Sequence, residues 1–184
     1  MPNLYSIKTN NNIFIIEFKN ALFEIPIKKG LIVDTNILLL YLIGSYDISY
    51  IKRFKRTESY TKEEYKFLCC FLENYCPNKK YISPHILTEL SNLSLSVSSK
   101  RLSEYFSYFI DILKKTSEIY INKNQIFKFK ELSKFGVTDI SILQTAKEYD
   151  FFVLTSDYKL SNYLFKNDIE VFNFRNISPY LWDL

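Results

Sequence analysis

Short apolar runs recur along this chain, and each is followed by a helical pattern. Leu31-Ile32-Val33, Tyr81-Ile82-Ser83 and Phe151-Phe152-Val153-Leu154 read as strands, and Ile169 to Phe174 closes the series. A strand with no polar face belongs inside a parallel sheet, covered on both sides. Helical patterns lie between them: Ile37 to Ile43, Thr61 to about Tyr75, Pro84 to about Leu95, Leu102 to Leu113, Lys130 to Lys134, Asp139 to Tyr149 and Lys159 to Lys166. The alternation predicts an α/β fold of three layers, with a mostly parallel central sheet between helices. Local signals set the expected ends. Asn36 caps the first helix and Gly44 ends it; Thr61 and Glu64 form a capping box; Ser83 caps and Pro84 opens the third; Thr138 caps the helix of Asp139. Glu118 to Gln125 reads as holding one more short strand.

Residues 1–30 read as a β-rich extension. Ile13 to Phe18 and Leu22 to Ile27 are strand-like, and Asn10-Asn11-Asn12 reads as a turn. With 184 residues and 47% hydrophobic side chains, the chain can bury a core as one domain.

Four carboxylates fall where structure alone explains them poorly. Asp34 ends the first apolar strand, and Asp157 follows Phe151 to Leu154. In an open α/β sheet, sites form at the carboxyl ends of strands. Asp139 opens a helix and shares a face with Ile142, Leu143 and Ala146, while Glu89 lies three residues after Ile86 and four before Leu93. Both acids therefore point along apolar stripes. No Arg or Lys stands near Asp34, Glu89 or Asp139 in sequence. Each acid alone has a plain alternative: Asp34 and Asp157 could cap helices, and Asp139 could favour a helix N-terminus. Four in this order favour convergence on a hard divalent cation, because like charges repel and oxygen donors suit Mg²⁺ or Mn²⁺.

Asp34-Thr35-Asn36 after the first strand, Glu89 in a middle helix, Thr138-Asp139 opening a late helix and Thr155-Ser156-Asp157 after a strand together resemble the PIN domain. The resemblance covers Gly30 to Phe174. It implies a PIN-like fold over residues 31–184 and a metal-dependent nuclease, most often a ribonuclease. It implies Asp34, Glu89, Asp139 and Asp157 as catalytic metal ligands for one or two Mg²⁺ or Mn²⁺ ions. Thr35, Asn36, Thr155 and Ser156 would be supporting polar residues. Family members hydrolyse phosphodiesters with metal-activated water, leaving 5′-phosphate and 3′-hydroxyl ends. Many are toxins held by an antitoxin protein, and many are dimers. This chain differs from the smallest such toxins by its extension and by a longer segment between Gly44 and Tyr81. The alternatives are a non-catalytic RNA-binding or assembly module of the same fold, and a phosphatase of the haloacid dehalogenase kind. The latter needs a second Asp at the position of Asn36.

With four of its 20 acids set aside for a cation, the chain is about twice as basic as its formal +4, which suits a polyanion such as RNA or DNA. An abundance of Lys, Asn, Ile, Tyr and Phe, as in proteins from AT-rich genomes, is the competing source of that basicity. Lys52, Arg53, Lys55 and Arg56, interleaved with Phe54, look like a single-strand contact, with Arg101 and Lys159 as further phosphate candidates. An amphipathic surface over a buried Phe54 is the competing reading, and the favoured one. The alternation Ile126-Phe127-Lys128-Phe129-Lys130 takes the same two readings. His85, the only histidine, sits one turn before Glu89 and is a candidate ligand or proton carrier, with a solvent-facing position the more ordinary reading. Cys69, Cys70 and Cys76 lack zinc spacing and read as apolar thiols of a reducing compartment. No run is long enough to span a bilayer, and no signal-peptide pattern is present, so a cytoplasmic protein is expected.

Overall fold

A computed structural model describes residues 5–18 and 21–180; positions 1–4, 19–20 and 181–184, at the edges of the two expected regions, lie outside the described residues. The chain opens with a three-stranded antiparallel meander, β1 (Tyr5–Asn10), β2 (Ile13–Phe18) and β3 (Ala21–Pro26), in the order β1-β2-β3. Asn11 and Asn12 take φ of 44° and 63°, and Asn10 pairs with Ile13. That is a two-residue hairpin turn of the left-handed type, for which Asn is well suited. β1 was not expected; its registered pairing with β2 makes it a strand.

The meander is not an appendage. Phe14, Ile16, Phe18 and Ile25 point into the same core as the central sheet. Phe14 meets Phe71 and Tyr75 edge-on, with ring centroids 5.8 and 5.4 Å apart. The Tyr75 hydroxyl donates to the Pro26 carbonyl at 2.7 Å and accepts from the Lys28 amide at 3.3 Å.

The α/β portion then runs β4 (Gly30–Val33), α1 (Thr35–Tyr46), α2 (Lys62–Asn74), β5 (Lys80–Ile82), α3 (Pro84–Ser94), α4 (Ser99–Leu113), β6 (Ser117–Glu118), α5 (Lys123–Ile126), α6 (Leu132–Tyr149), β7 (Phe151–Thr155), α7 (Tyr158–Phe165) and β8 (Val171–Asn173), with a final 3₁₀ segment, Phe174–Tyr180. The five strands form one wholly parallel sheet in the order β6-β5-β4-β7-β8. Crossovers from β4 to β5 and from β7 to β8 leave in opposite directions. Right-handed connections therefore put helices on both faces, giving the three-layer α/β/α architecture. Every residue of β4 and β7 is buried, which is why those strands carry no polar face.

Several ends differ from expectation. α1 passes through Gly44 to Tyr46, because Gly44 lets the Tyr65 ring lie directly on the helix; a Cβ there would collide with it. Asp34, not Asn36, holds the N-cap position of α1. α4 begins at Ser99, within the serine-rich stretch. β6 shrinks to two residues, and α5 follows it. The short helix expected at Lys130 to Lys134 is the first limb of α6, which is broken at Gly136 (φ 82°, ψ 175°), so Thr138 does not cap. The capping box of α2 is as expected: the Glu64 amide donates to Thr61 Oγ1 at 3.1 Å, and Glu64 Oε2 accepts from the Thr61 amide at 2.6 Å. The three cysteines are free and partly buried, and burial raises each thiol. No helix among the described residues is long and apolar enough to cross a membrane.

Candidate functional site

The sheet order reverses between β4 and β7. From β4 the chain proceeds toward β5, and from β7 toward β8. The loops leaving their carboxyl ends diverge and open a crevice, the usual ligand position in such sheets.

Asp34 sits at the floor of that crevice, 4% exposed. Its amide donates to Leu154 O at 2.9 Å, extending the β4–β7 ladder by one rung. Although it holds the N-cap position of α1, its side chain caps nothing. Asp34 Oδ2 instead accepts the Thr155 hydroxyl at 2.8 Å. Burial raises this carboxyl to about 6; the bonds from Thr155 and the Thr35 backbone pull it down, and the charges of Glu89 and Asp157 push it up.

Asp139 arrives from the other side. The left-handed Gly136 ends the first limb of α6 and aims the second limb, whose first turn carries Asp139. The limb is pinned to α3 by Ser141 and Ser83, whose hydroxyl oxygens lie 3.4 Å apart. Ser83 also caps α3, accepting from the Ile86 amide at 3.3 Å. Asp139 is half-buried and raised to about 7, first by burial, then by the charges of Asp34, Asp157 and Glu89, with Lys159 opposing.

Glu89 differs from expectation. Ile86 and Leu90 are core, but Glu89 is exposed at the margin of their stripe. A residue three places from Ile86 is rotated some 60° off its line, enough to leave the core. Glu89 still faces the crevice, where its Oε2 accepts the Thr35 hydroxyl at 3.0 Å. Asp157 is exposed, and the capping alternative holds for one of its oxygens. Oδ1 accepts from the Lys159 and Leu160 amides at 2.6 and 3.0 Å, leaving Oδ2 outside the cap. The Asp157 amide donates to Thr155 Oγ1 at 3.0 Å, so Thr155 links two of the acids.

The four acids thus come from four elements and stand within reach of one another's charge. Among the described residues the ion pairs are Lys28–Asp150 and Arg101–Asp47, so none of the four is neutralised by a salt bridge. Oxygen donors that no salt bridge engages among the described residues fit a hard divalent cation in their chemistry. No three His, Cys, Asp or Glu side chains among the described residues form a ready-made ion cage, so the donor set is loose.

Of the supporting residues, Thr35 and Thr155 are buried and bonded to acids, while Asn36 is exposed and outside this network. Ser156 hydrogen-bonds Tyr60. His85 is half-buried rather than solvent-facing, and its Nδ1 is buried without a hydrogen-bond partner. With Glu89 and Thr138 it lines a cleft of about 380 Å³.

The basic candidates divide. Lys159 lies beside Asp139, donating to Lys134 O at 2.8 Å with its ammonium 5.1 Å from the Phe135 ring centroid. Arg101 pairs with Asp47 at 3.2 Å and lies over the Tyr50 ring, beyond the far end of α1, about 18 Å from Asp34 along the helix. It lies away from the acidic crevice. Lys52, Arg53, Lys55 and Arg56 are exposed, but Phe54 is 4% exposed, so the interleaved aromatic is core. This stretch is a train of turns in which every third residue, Ile51, Phe54, Thr57 and Tyr60, faces inward. It returns from the far end of α1 to the crevice. In the second basic-aromatic stretch Ile126 is core and Phe127 is 61% exposed.

Two residues at the crevice carried no sequence signal. Tyr60 feels the charge of Asp34, and the Arg175 guanidinium lies 3.8 Å from the Tyr60 ring centroid. The fold alone joins Tyr60, which opens the approach to α2, to Arg175, which follows β8. Compared with family models, curated proteins and solved structures, the chain finds no match among any of the three.

Proposed function

We propose that this protein is a Mg²⁺- or Mn²⁺-dependent endoribonuclease of the PIN type, with Asp34, Glu89, Asp139 and Asp157 as its acidic centre. One observation carries the reading: four carboxylates from four elements come within reach of one another's charge where the strand order reverses, and among the described residues no ion pair neutralises them. The carboxyls of Asp34 and Asp139 are raised first by burial and then by the neighbouring acids, and a bound cation would offset both. When bound, one or two such ions supply an acidified water and a positive charge against the leaving oxygen. The chain's own groups hold the donors. Thr155 orients Asp34, Thr35 orients Glu89, and the first amides of α7 fix Asp157. The same reading brings an RNA substrate with DNA as the alternative, a cytoplasmic location, a homodimer and an inhibitory antitoxin-like partner.

The test is cleavage of single-stranded and structured RNAs with Mn²⁺, beside EDTA and Asp139→Asn controls. Cutting that needs metal and is lost in the variant is the expected result. RNA binding without cutting under any metal would favour a non-catalytic RNA-binding module instead, a reading that the loose donor set and the exposed cations of residues 51–60 favour.

A further inference from the structure

Beyond Ser156, on the β8 side of the crevice, lies a cavity of about 310 Å³ lined by Ser156, Tyr158, Arg175, Ser178 and Pro179. Three features make it more than a dent. Arg175 is held but not neutralised: it stacks on Tyr60 and donates to Ser59 Oγ at 2.8 Å, and among the described residues it makes no ion pair. A guanidinium has five donors in a planar fork, so most remain for a ligand. Second, the Tyr158 ring stands 56% exposed at the mouth, immediately after Asp157. Third, the acid bonded to the lining residue Ser178 is already engaged: Glu64 Oε1 accepts the Ser178 hydroxyl at 2.6 Å, and Oε2 accepts the Thr61 amide.

A positioned guanidinium beside an open aromatic face matches a phosphate followed by a planar base. Only an unstacked base can present its face to Tyr158, which excludes a duplex. We propose that this cavity is a nucleotide subsite for single-stranded RNA, Tyr158 stacking a base and Arg175 binding its neighbouring phosphate. The subsite rests on the nuclease reading for its meaning: a strand anchored here lays its next phosphodiester over the acidic crevice. The cavity adjoins the crevice, since Tyr60 bonds Ser156 and carries Arg175, which both line the cavity, and also feels the charge of Asp34.

The experiment is fluorescence anisotropy of a short labelled oligoribonucleotide on full-length Asp34→Asn protein, with second substitutions added. Tyr158→Ala should weaken binding about tenfold without changing its salt dependence. Arg175→Gln should weaken it comparably and lower the slope of log affinity on log salt by about 0.7, one phosphate contact on a single strand. Arg175→Lys, which keeps the charge, should restore the slope and guards against a folding artefact. Annealing the probe to its complement should erase the Tyr158 effect. No binding by the parent, or Tyr158 and Arg175 variants that bind as the parent does with the same slope, overturns the subsite. Cleavage by wild type separates the two readings. Metal-dependent cutting with unaffected binding in the variants sinks the subsite alone; weakened binding without any cutting by wild type sinks the nuclease alone.

Discussion

Asp34 begins a helix and does not cap it. A side-chain cap is worth about 1 kcal/mol, so turning the carboxylate toward Thr155 forgoes that and buries a charge as well. Moving a carboxyl from its ordinary 3.8 to about 6 corresponds to an order of 3 kcal/mol. The folded chain binds this proton more tightly than the unfolded chain does. Stability is therefore unaffected below pH 4 and declines as pH rises through about 6, with Asp139 extending the decline toward 7. Asp34→Asn in metal-free protein should gain about 1–3 kcal/mol at pH 8 and nothing near pH 3.5, measured by urea denaturation. Equal stability of variant and wild type at both pH values would contradict the burial described. At Gly44 the issue is contact rather than charge: Gly44→Ala should lose about 1–3 kcal/mol, since the Tyr65 ring has to move.

At the scale of elements, what could be read from sequence follows from where each signal resides. Thr61 with Glu64, Ser83 with Pro84, and Asn11-Asn12 act within a few residues, and each forms as expected. Asp34 and Asp157 were legible because position after an apolar strand fixes them at a sheet end. β1 and α5 were not, and the short strand expected within Glu118 to Gln125 forms only as the two residues of β6, since pairing and packing partners make such segments regular. Nor was the junction of Tyr60 with Arg175, which only the assembled fold brings about. Glu89 was misplaced because a helical stripe has a margin that spacing alone does not resolve. The break in α6 rests on Gly136, whose φ of 82° penalises any side chain. Gly136→Ala should cost about 1–2 kcal/mol and turn the limb bearing Asp139. Thermal melts without metal read the first effect, and a weakened response to Mn²⁺ reads the second.

For the whole molecule, the antiparallel meander and the parallel sheet share one core, so the N-terminal strands are structural. Phe14→Ala should destabilise by about 3–5 kcal/mol although it lies outside the α/β portion. Saturating Mn²⁺ should raise the melting temperature of wild type by mass action and raise that of Asp139→Asn less. A melting curve indifferent to metal in wild type would mean that the acids do not share an ion. The pairing of β4 with β7 has a temporal side as well. Gly30 registers with Phe151, so the two strands that flank the crevice are synthesised far apart in time. Asp34 leaves the ribosome early, but Asp139 and Asp157 come late, and no acidic centre exists until β7 docks. On the proposed nuclease reading, a growing chain stays inert toward its own messenger until β7 has been made and has paired with β4.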